Sequence, residues 1–254
     1  MIFDTHAHYD DAAFDEDRER LLSDMTNHGI GTIVNIGASL QSCQQTMALL
    51  NSYDFIYGAI GVHPSDTDEL TEEGMAWLQE QLSHPKVLAV GEIGLDYHYD
   101  DTDKDVQKKW FRAQIEMARD AKLPMVIHSR DAMADTMEIM QACKAEEVGG
   151  VIHCFSYGAQ TAKTYVDMGF YIGVGGVLTF QNGKKLKQVV AELPLEAIVL
   201  ETDAPYLSPE PNRGKRNSSL NLPYVVAEIA KIKDISEQEV IEITNQNARK
   251  LYRM

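Results

Sequence analysis

Eight short apolar runs recur along the chain at a regular interval, and this repeat restricts the possible folds more than any other feature. Each run is continuous rather than alternating, as expected for parallel strands that are buried on both faces. The interval between consecutive runs is roughly 20 to 36 residues, about the length of one βα unit. The runs cover residues 2–5, 32–36, 55–60, 87–90, 124–127, 150–152, 170–174 and 198–200.

The stretches between these runs have a helical pattern. Residues 107–121 and 184–192 carry apolar side chains at helical spacing. Eight strand–helix units in 254 residues predict an α/β fold, a TIM-type (β/α)8 barrel formed by one domain spanning 1–254. A doubly wound open sheet is the alternative, but neither of the glycine-rich nucleotide motifs GxGxxG and GxxxxGK[ST] occurs. Ser236 and Glu239 form a capping box that predicts a closing C-terminal helix.

The charge balance restricts the partners of the protein. The chain has 23 Lys+Arg against 39 Asp+Glu, a formal net charge of −16. A protein that coats long nucleic acid needs a broad basic face, so the charge argues against that class. An acidic enzyme with one local basic loop remains compatible with it.

Cysteine usage and the first residues predict a cytoplasmic protein. Cys43, Cys143 and Cys154 form no CxxC pair, which indicates reduced thiols. The N-terminal sequence MIFDTHAHYDD lacks the basic and apolar regions of a signal peptide. We expect no membrane span, because no apolar run approaches the roughly 18 residues that one requires. The chain has no heptad repeat that would indicate a protein partner, so we expect a monomer.

Polar residues follow six of the eight predicted strands on their C-terminal side, the face on which barrel enzymes build their active sites. Five of the chain's eight histidines stand at these positions. We therefore expect them to converge on one mouth of the barrel. The segments are 6–8, 61–64, 91–96, 128–131, 153–155 and 201–203.

The convergence of these groups predicts a metal site. His6 and His8 are two residues apart on a strand, so both side chains project to the same side. Imidazoles and carboxylates that meet without a positive charge are costly to desolvate, and one or two divalent cations remove that cost. Mixed nitrogen and oxygen ligands suit Zn²⁺, Mn²⁺, Co²⁺ or Fe²⁺, and Mg²⁺ less well. Four histidines and two carboxylates are enough ligands for two ions about 3.5–4 Å apart, with one carboxylate bridging. The candidates are His6, His8, Glu92, His128, His153 and Asp203.

Basic residues cluster after the eighth predicted strand. The loop SPEPNRGKRN carries Arg213, Lys215 and Arg216 and lies on the rim of the metal site if the chain forms a barrel. A basic rim with a glycine hinge beside bound cations suits a phosphate group. We expect Arg130 to contribute similarly, and His63 to contact substrate or a metal ligand.

Taken together, the motifs resemble the TatD family of metal-dependent hydrolases along essentially the whole chain. The matching segments, in order, are DTHAH, GVHP, GEIGLDY, LPMVIHSRDA, GVIHCFS, GFYIGVGGVLTFQN, LETDAPYLSP and RGKRN. The resemblance implies a TIM barrel with a two-metal centre, and a metal-dependent DNase that is often a 3′–5′ exonuclease on single-stranded DNA. It further implies that one ion is held by His6, His8 and Asp203 and the other by His128 and His153, with Glu92 bridging.

Two places depart from the family's pattern. Ser218 and Ser219 stand where the family usually continues RGKRN with Glu-Pro, and Tyr157 precedes Gly158 where HCFSG is common. Both lie near the expected substrate side. They therefore bear on substrate preference more than on hydrolysis itself.

The predicted reaction is two-metal phosphodiester hydrolysis, with DNA ends or short oligonucleotides as substrate. Asp203 is assigned as the general base that orients the attacking water, and Glu92 as the second essential carboxylate. The metals are Mg²⁺, Mn²⁺, Zn²⁺ or Co²⁺, since availability in the cell decides among them as much as affinity does.

Two other functions remain open at this point. The same barrel can hydrolyse a C–N or carboxylic ester bond in the manner of amidohydrolases, although no Lys stands at a matching strand end to serve as a carboxylated bridge. A metal-binding protein without turnover is the second alternative, but such a protein has no reason to leave coordination positions open.

Overall fold

Eight parallel strands pair in the order of the chain in the computed structural model of the protein, which describes residues 1–98 and 102–254. Every predicted strand is present, and β6, β7 and β8 have the predicted bounds. The strands are β1 Ile2–Ala7, β2 Ile30–Ile36, β3 Ile56–Ile60, β4 Val87–Asp96, β5 Met125–Arg130, β6 Gly150–Ile152, β7 Phe170–Val174 and β8 Ile198–Leu200.

The first and last strands meet and close the sheet. Ala7 forms a parallel bridge with Ala204, and the His8 N–H donates to the Ala204 carbonyl at 2.7 Å. Lower in the barrel, the Thr5 hydroxyl donates to the Leu200 carbonyl at 2.9 Å. A sequential, closed order of strands confirms the predicted TIM-type barrel and excludes the doubly wound open sheet, in which the strand order reverses.

Helices follow the strands as the sequence pattern predicts. The α7 bounds match the prediction, whereas α4 begins three residues earlier, where the Asp103 carboxylate caps the Asp105 and Val106 N–H groups. The predicted cap of α9 is also present, because the Ser236 hydroxyl accepts from the Glu239 N–H. The helices are α1 Arg18–Asp24, α2 Leu40–Ser52, α3 Glu72–Gln81, α4 Lys104–Ala121, α5 Met133–Ala142, α6 Ala159–Asp167, α7 Lys184–Glu192, α8 Leu222–Lys233 and α9 Glu237–Leu251.

The buried apolar residues of the described chain form two cores. The larger core lies between the strands and the surrounding helices. The smaller lies inside the barrel, where Phe3, Val34 and Val126 pack with the C-terminal residues Leu251 and Tyr252. The Tyr252 hydroxyl donates to the Thr5 carbonyl at 2.8 Å. The end of α9 thus covers one mouth of the barrel and leaves the opposite mouth to the polar residues.

Across the two described ranges, no helix combines the length and the apolar character that crossing a membrane would require.

Candidate metal centre

Three strands extend beyond their apolar runs and carry polar side chains into the open mouth. His6 lies within β1, Glu92 within β4 and His128 within β5. An apolar run marks only the part of a strand that is packed in a core, so its end underestimates where the strand ends. The extended backbone therefore holds these three side chains on rigid elements rather than on loops.

His6 and His8 approach each other closely. Their Nε2 atoms lie 3.1 Å apart, and Asp203 Oδ1 lies 3.6 Å from the first and 3.3 Å from the second. His8 Nδ1 donates to the Ile36 carbonyl at 2.9 Å, since a carbonyl oxygen can only accept. That hydrogen bond keeps the proton of neutral His8 on Nδ1. The lone pair on Nε2 therefore points at the cluster, as a metal ligand requires.

His153 is oriented in the same way by a carboxylate. Its Nδ1 lies 3.2 Å from Glu201 Oε2, and its Nε2 lies 3.7 Å from both Glu92 Oε1 and Asp203 Oδ1. The other Glu201 oxygen accepts from the Cys154 N–H at 2.7 Å. A carboxylate behind an imidazole fixes its tautomer and raises its basicity as a ligand. The space for this carboxylate depends on Gly173 of β7, because a Cβ there would collide with Glu201.

Glu92 stands at the centre of the cluster, with 3% of the residue exposed. Its Oε1 lies 2.8 Å from His128 Nδ1 and 3.7 Å from His153 Nε2. Its Oε2 lies 3.5 Å from His6 Nε2 and 3.9 Å from His8 Nε2. Each oxygen therefore faces one pair of histidines, which is the arrangement that a carboxylate bridging two cations needs.

The carboxylates of the cluster favour a positive charge between them. Burial opposes protonation of His8, but Asp203 and Glu92 outweigh it and raise the pKa of His8 to about 9. Burial also opposes protonation of His153, yet Glu201, Glu92 and Asp203 together raise its pKa to about 10. The pKa of Glu92 lies well below its usual range, because the histidines outweigh the effect of burial. Without a cation, protons take the positions between these groups.

The donor set fits divalent transition metals. Imidazole nitrogens and carboxylate oxygens are the ligands of such ions, and they converge here from three strands and from the segments that follow β1, β6 and β8. His6 is held neutral, since burial and the neighbouring His153 lower its pKa. Within the described part of the chain, its buried Nδ1 has no hydrogen-bond partner. Burying a ring nitrogen without a hydrogen-bond partner costs free energy. A bond between the imidazole and a metal ion would offset that cost.

His63 differs from the other histidines in its tautomer. Its Nδ1 accepts from the Ser65 N–H at 3.1 Å, so the proton of neutral His63 is on Nε2, 4.0 Å from Glu92 Oε1. Burial, together with His128, lowers the pKa of His63 to about 4. His63 is therefore a neutral hydrogen-bond donor at pH 7, suited to an oxygen atom rather than to a metal ion.

An open cavity of about 1180 Å³, counting its mouth, lies over the cluster. Its lining includes His63 and Arg130, two of the residues expected to contact substrate, together with the exposed Tyr206. Arg130 is the last residue of β5. The structure thus brings these two predicted contacts to the metal centre, and their role in binding substrate remains a prediction.

The three basic residues of the loop after β8 do not line this cavity in the described structure. Arg216 forms a two-pronged ion pair with Asp17, at 2.7 Å for each contact, and its guanidinium lies over the Phe14 ring. Arg213 lies over the Phe180 ring, and Lys215 is exposed on the same loop. Arg216 therefore connects the loop to the start of α1. Its predicted role in binding phosphate does not follow from this placement.

Sequence reasoning missed the carboxylates that hold the candidate ligands. Besides Glu201, Asp96 Oδ2 lies 3.1 Å from His128 Nε2, and the buried Asp4 binds Thr202, which precedes Asp203. All three stand in the matched motifs, close to a histidine or an aspartate in the chain. That proximity was the available signal, but it does not show which imidazole each carboxylate contacts.

The two departures from the family's pattern occupy defined positions. Ser219 is buried, and its hydroxyl donates to Asp4 Oδ2 at 2.6 Å. The Tyr157 hydroxyl lies 2.9 Å from Ser129 Oγ, beside His128. Both residues therefore support the centre from behind rather than facing the cavity.

Comparison with known proteins gives a consistent assignment. A family model described as "TatD related DNase" matches residues 3–253. The chain is 43% identical over 254 residues to the "uncharacterized metal-dependent hydrolase YabD" of Bacillus subtilis, covering 100% of both chains. It is 30% identical over 257 residues to the "3′-5′ ssDNA/RNA exonuclease TatD" of a Rahnella species, covering 99% and 98%. The crystal structure of YJJV, a TatD homologue from Escherichia coli, matches with a TM-score of 0.93 at 30% identity, covering 100% and 98%.

Proposed function

Because the chain belongs to the TatD family of metal-dependent hydrolases, we propose that it is a two-metal phosphodiesterase that removes nucleotides from the 3′ end of DNA. The observation that carries this proposal is the position of Glu92, whose two oxygens each face one pair of histidines. The Rahnella relative is named as a 3′-5′ ssDNA/RNA exonuclease, which supports the choice of substrate.

The ligand assignment follows the distances around Glu92. One position is formed by His6, His8 and Asp203, whose ligand atoms lie within 3.1–3.6 Å of one another. The other is formed by His128 and His153, which share Glu92 Oε1. Two divalent ions bound there would supply Lewis acidity and a water of lowered pKa.

Asp203 has the properties of the general base. The histidines around it outweigh the effect of burial and lower its pKa, so the carboxylate is ionised at neutral pH and can accept a proton. It stands on a sharp turn, with a φ of 58°, and its N–H donates to the His6 carbonyl at 2.9 Å. The turn holds the carboxylate against the cavity, next to His8.

Phosphate recognition is assigned to donors on the cavity wall. His63 Nε2–H is a neutral donor for a phosphate oxygen, and the Arg130 guanidinium provides charge. Arg213 and Lys215 are exposed on the loop after β8 and do not line the cavity, so they are assigned to nucleotides farther from the cleaved bond. With a net charge of −16, the protein is suited to hold a few nucleotides at an end rather than to follow a duplex.

The proposal is tested by cleavage of a 5′-labelled single-stranded oligonucleotide. The chelated protein receives Mg²⁺, Mn²⁺, Co²⁺ or Zn²⁺ singly, and the expected product is a ladder that shortens from the 3′ end. Asp203→Asn should lower kcat by about 10²–10⁴-fold, as expected for loss of a general base. Asp24→Asn, which removes a surface carboxylate of α1, is the matched control and should cleave like the wild type.

One result would contradict the mechanism, and another would contradict the function. Wild-type activity in Asp203→Asn would remove the general base from the mechanism. No cleavage with any metal, while two ions are bound by native mass spectrometry, would exclude the nuclease. A panel of lactones and acylated amino acids would then test the amidohydrolase alternative, and bound metal without any hydrolysis would indicate a metal-binding protein.

A further inference from the structure

A second cavity opens beside the metal centre, between the ends of β6 and β7 and the start of α7. Its volume is about 240 Å³, below the range of about 300–1,000 Å³ that sites for drug-sized ligands occupy, so it is suited to one small group. Asp203 lines this side cavity as well as the main one. A connecting space lined by Asp203, Tyr206 and Leu207 joins the two. One continuous cleft therefore passes the proposed general base.

The side cavity is mostly apolar. Phe155, Val177 and Leu186 provide side-chain walls, and Gly173 and Gly175 provide only backbone. In the described lining, Lys185 is the one cationic side chain, and both oxygens of the lining Glu201 are already bound by His153 and Cys154. A flat, largely apolar group with polar edges matches this surface.

We propose that the side cavity receives the nucleobase of the terminal nucleotide of a single strand. The inference rests on the proposed nuclease function and specifies its substrate. Apolar side chains and bare peptide planes accept the face of any base, so the pocket selects for the presence of a base rather than for its identity. Because Asp203 lines both spaces, a base seated here places the adjoining phosphodiester next to the metal centre.

The walls of the side cavity explain why cleavage starts at an end. Phe155 after β6, Gly173 of β7 and Leu186 of α7 are buried, so protein closes the inner wall of the cavity. A strand that enters it cannot continue beyond one nucleotide. A base that is paired in a duplex cannot enter without unpairing. The cleft therefore favours removal of single terminal nucleotides from an unpaired end.

The test compares two oligonucleotides that differ only in the 3′-terminal residue, thymidine in one and an abasic tetrahydrofuran in the other. Wild-type kcat/KM should be about tenfold lower on the abasic substrate, the effect of losing one base contact. Ser156→Trp places a ring at the exposed mouth of the side cavity. This variant should cleave both substrates at the lower rate. Gln188→Trp, at an exposed position of α7 outside the lining, should keep the tenfold preference.

A binding measurement that needs neither metal nor catalysis accompanies the kinetics. Deoxyadenosine, titrated into the chelated protein and followed by saturation-transfer NMR, should bind the wild type and Gln188→Trp but not Ser156→Trp. Equal cleavage of the two substrates by the wild type, or equal binding of deoxyadenosine to Ser156→Trp, would overturn the base pocket and leave the nuclease intact. If Ser156→Trp does not fold, the base pocket is tested by the wild type alone, from the ratio of its kcat/KM values on the two substrates. No cleavage of either substrate with any metal would instead overturn the nuclease and, with it, this inference.

Discussion

The carboxylate of Asp4 accepts two hydrogen bonds from Thr202, one from its hydroxyl at 2.7 Å and one from its backbone N–H at 3.0 Å. Asp4 lies two residues before His6 on β1, and Thr202 directly precedes Asp203. Burial raises the pKa of Asp4 to about 7, although its hydrogen bonds oppose that rise. These contacts join β1 to the turn after β8, the two segments that supply His6, His8 and Asp203.

Removing one donor to this carboxylate should destabilise the protein. Ser219→Ala deletes the hydroxyl that donates to Asp4 Oδ2 and leaves a buried oxygen with one partner fewer. We expect the free energy of unfolding to fall by about 1–3 kcal/mol. Urea unfolding of the chelated protein measures it, with Ser218→Ala on the neighbouring, half-buried residue as the control. An identical urea midpoint for Ser219→Ala and the wild type would show that the bond contributes nothing.

Glu201→Gln should weaken metal binding without unfolding the barrel. The amide keeps the size of the carboxylate, but an NH₂ group facing His153 Nδ1 favours the tautomer with the proton on Nε2. The lone pair directed at the cluster is then lost. We expect metal affinity to fall by about 10–100-fold, the usual effect of losing such a partner.

Competition with a chromophoric chelator measures this affinity. Glu210→Gln, an exposed carboxylate on the loop after β8, is the matched control. Unchanged affinity in Glu201→Gln would mean that His153 does not need Glu201 to act as a ligand. A circular dichroism spectrum like that of the wild type establishes that the barrel is intact in both variants.

Most of the fold was predictable because parallel barrel strands are buried on both faces and leave continuous apolar runs. The ends of β1, β4 and β5 were not predictable. Residues such as His6 and Glu92 have extended backbone, but their polar side chains interrupt the apolar pattern. Strand periodicity alone also placed His6 and His8 on one side, and their Nε2 atoms lie 3.1 Å apart.

The partners of the site residues depend on contacts between distant parts of the chain. Glu201 and His153 meet only when β6 and β8 take their places on either side of β7. Arg216 illustrates the same limit, because its partner Asp17 lies near the other end of the chain. In the sequence, a cluster of basic residues indicates a binding surface. Only the folded structure shows which of these residues already form ion pairs within the protein.

The pH dependence of stability should differ between the chelated and the metal-loaded protein. The pKa values of His8 and His153, about 9 and about 10 in the folded state, lie above the value of about 6.5 expected when unfolded. Their contribution is therefore complete below about pH 6.5 and is lost as the pH rises through 9–10. We expect the melting temperature of the chelated protein to fall over that window.

Metal binding displaces the protons on His8 and His153. Metal affinity should therefore rise as the pH increases from about 6.5 to about 10. Ions at about 100 times their Kd should add about 2.7 kcal/mol to the free energy of unfolding. Thermal melts with chelator and with Mn²⁺ measure both effects. His8→Gln should flatten the slope of the chelated protein, and His28→Gln, at an exposed position, should not. A chelated protein that becomes more stable above pH 7 would contradict the charge balance of the cluster.

Tyr206 should contribute to binding single strands through its ring. Its residue is 54% exposed at the cavity, and its hydroxyl donates to Asp11 Oδ2 at 2.8 Å, which fixes the ring beside His8. An aromatic face held in this way can stack on an unpaired base, an interaction worth about 1–3 kcal/mol. Tyr206→Ala should therefore raise KM for single-stranded DNA by about tenfold.

The matched variants separate stacking from other effects of the substitution. Tyr206→Phe keeps the ring and loses only the bond to Asp11, so it should retain most of the affinity. Tyr224→Ala removes an exposed tyrosine of α8 and should leave KM unchanged. Steady-state kinetics on a thymidine homopolymer resolve KM from kcat. If Tyr206→Ala and Tyr224→Ala give the same KM, the ring does not contact substrate, and affinity for the strand arises from phosphate contacts alone.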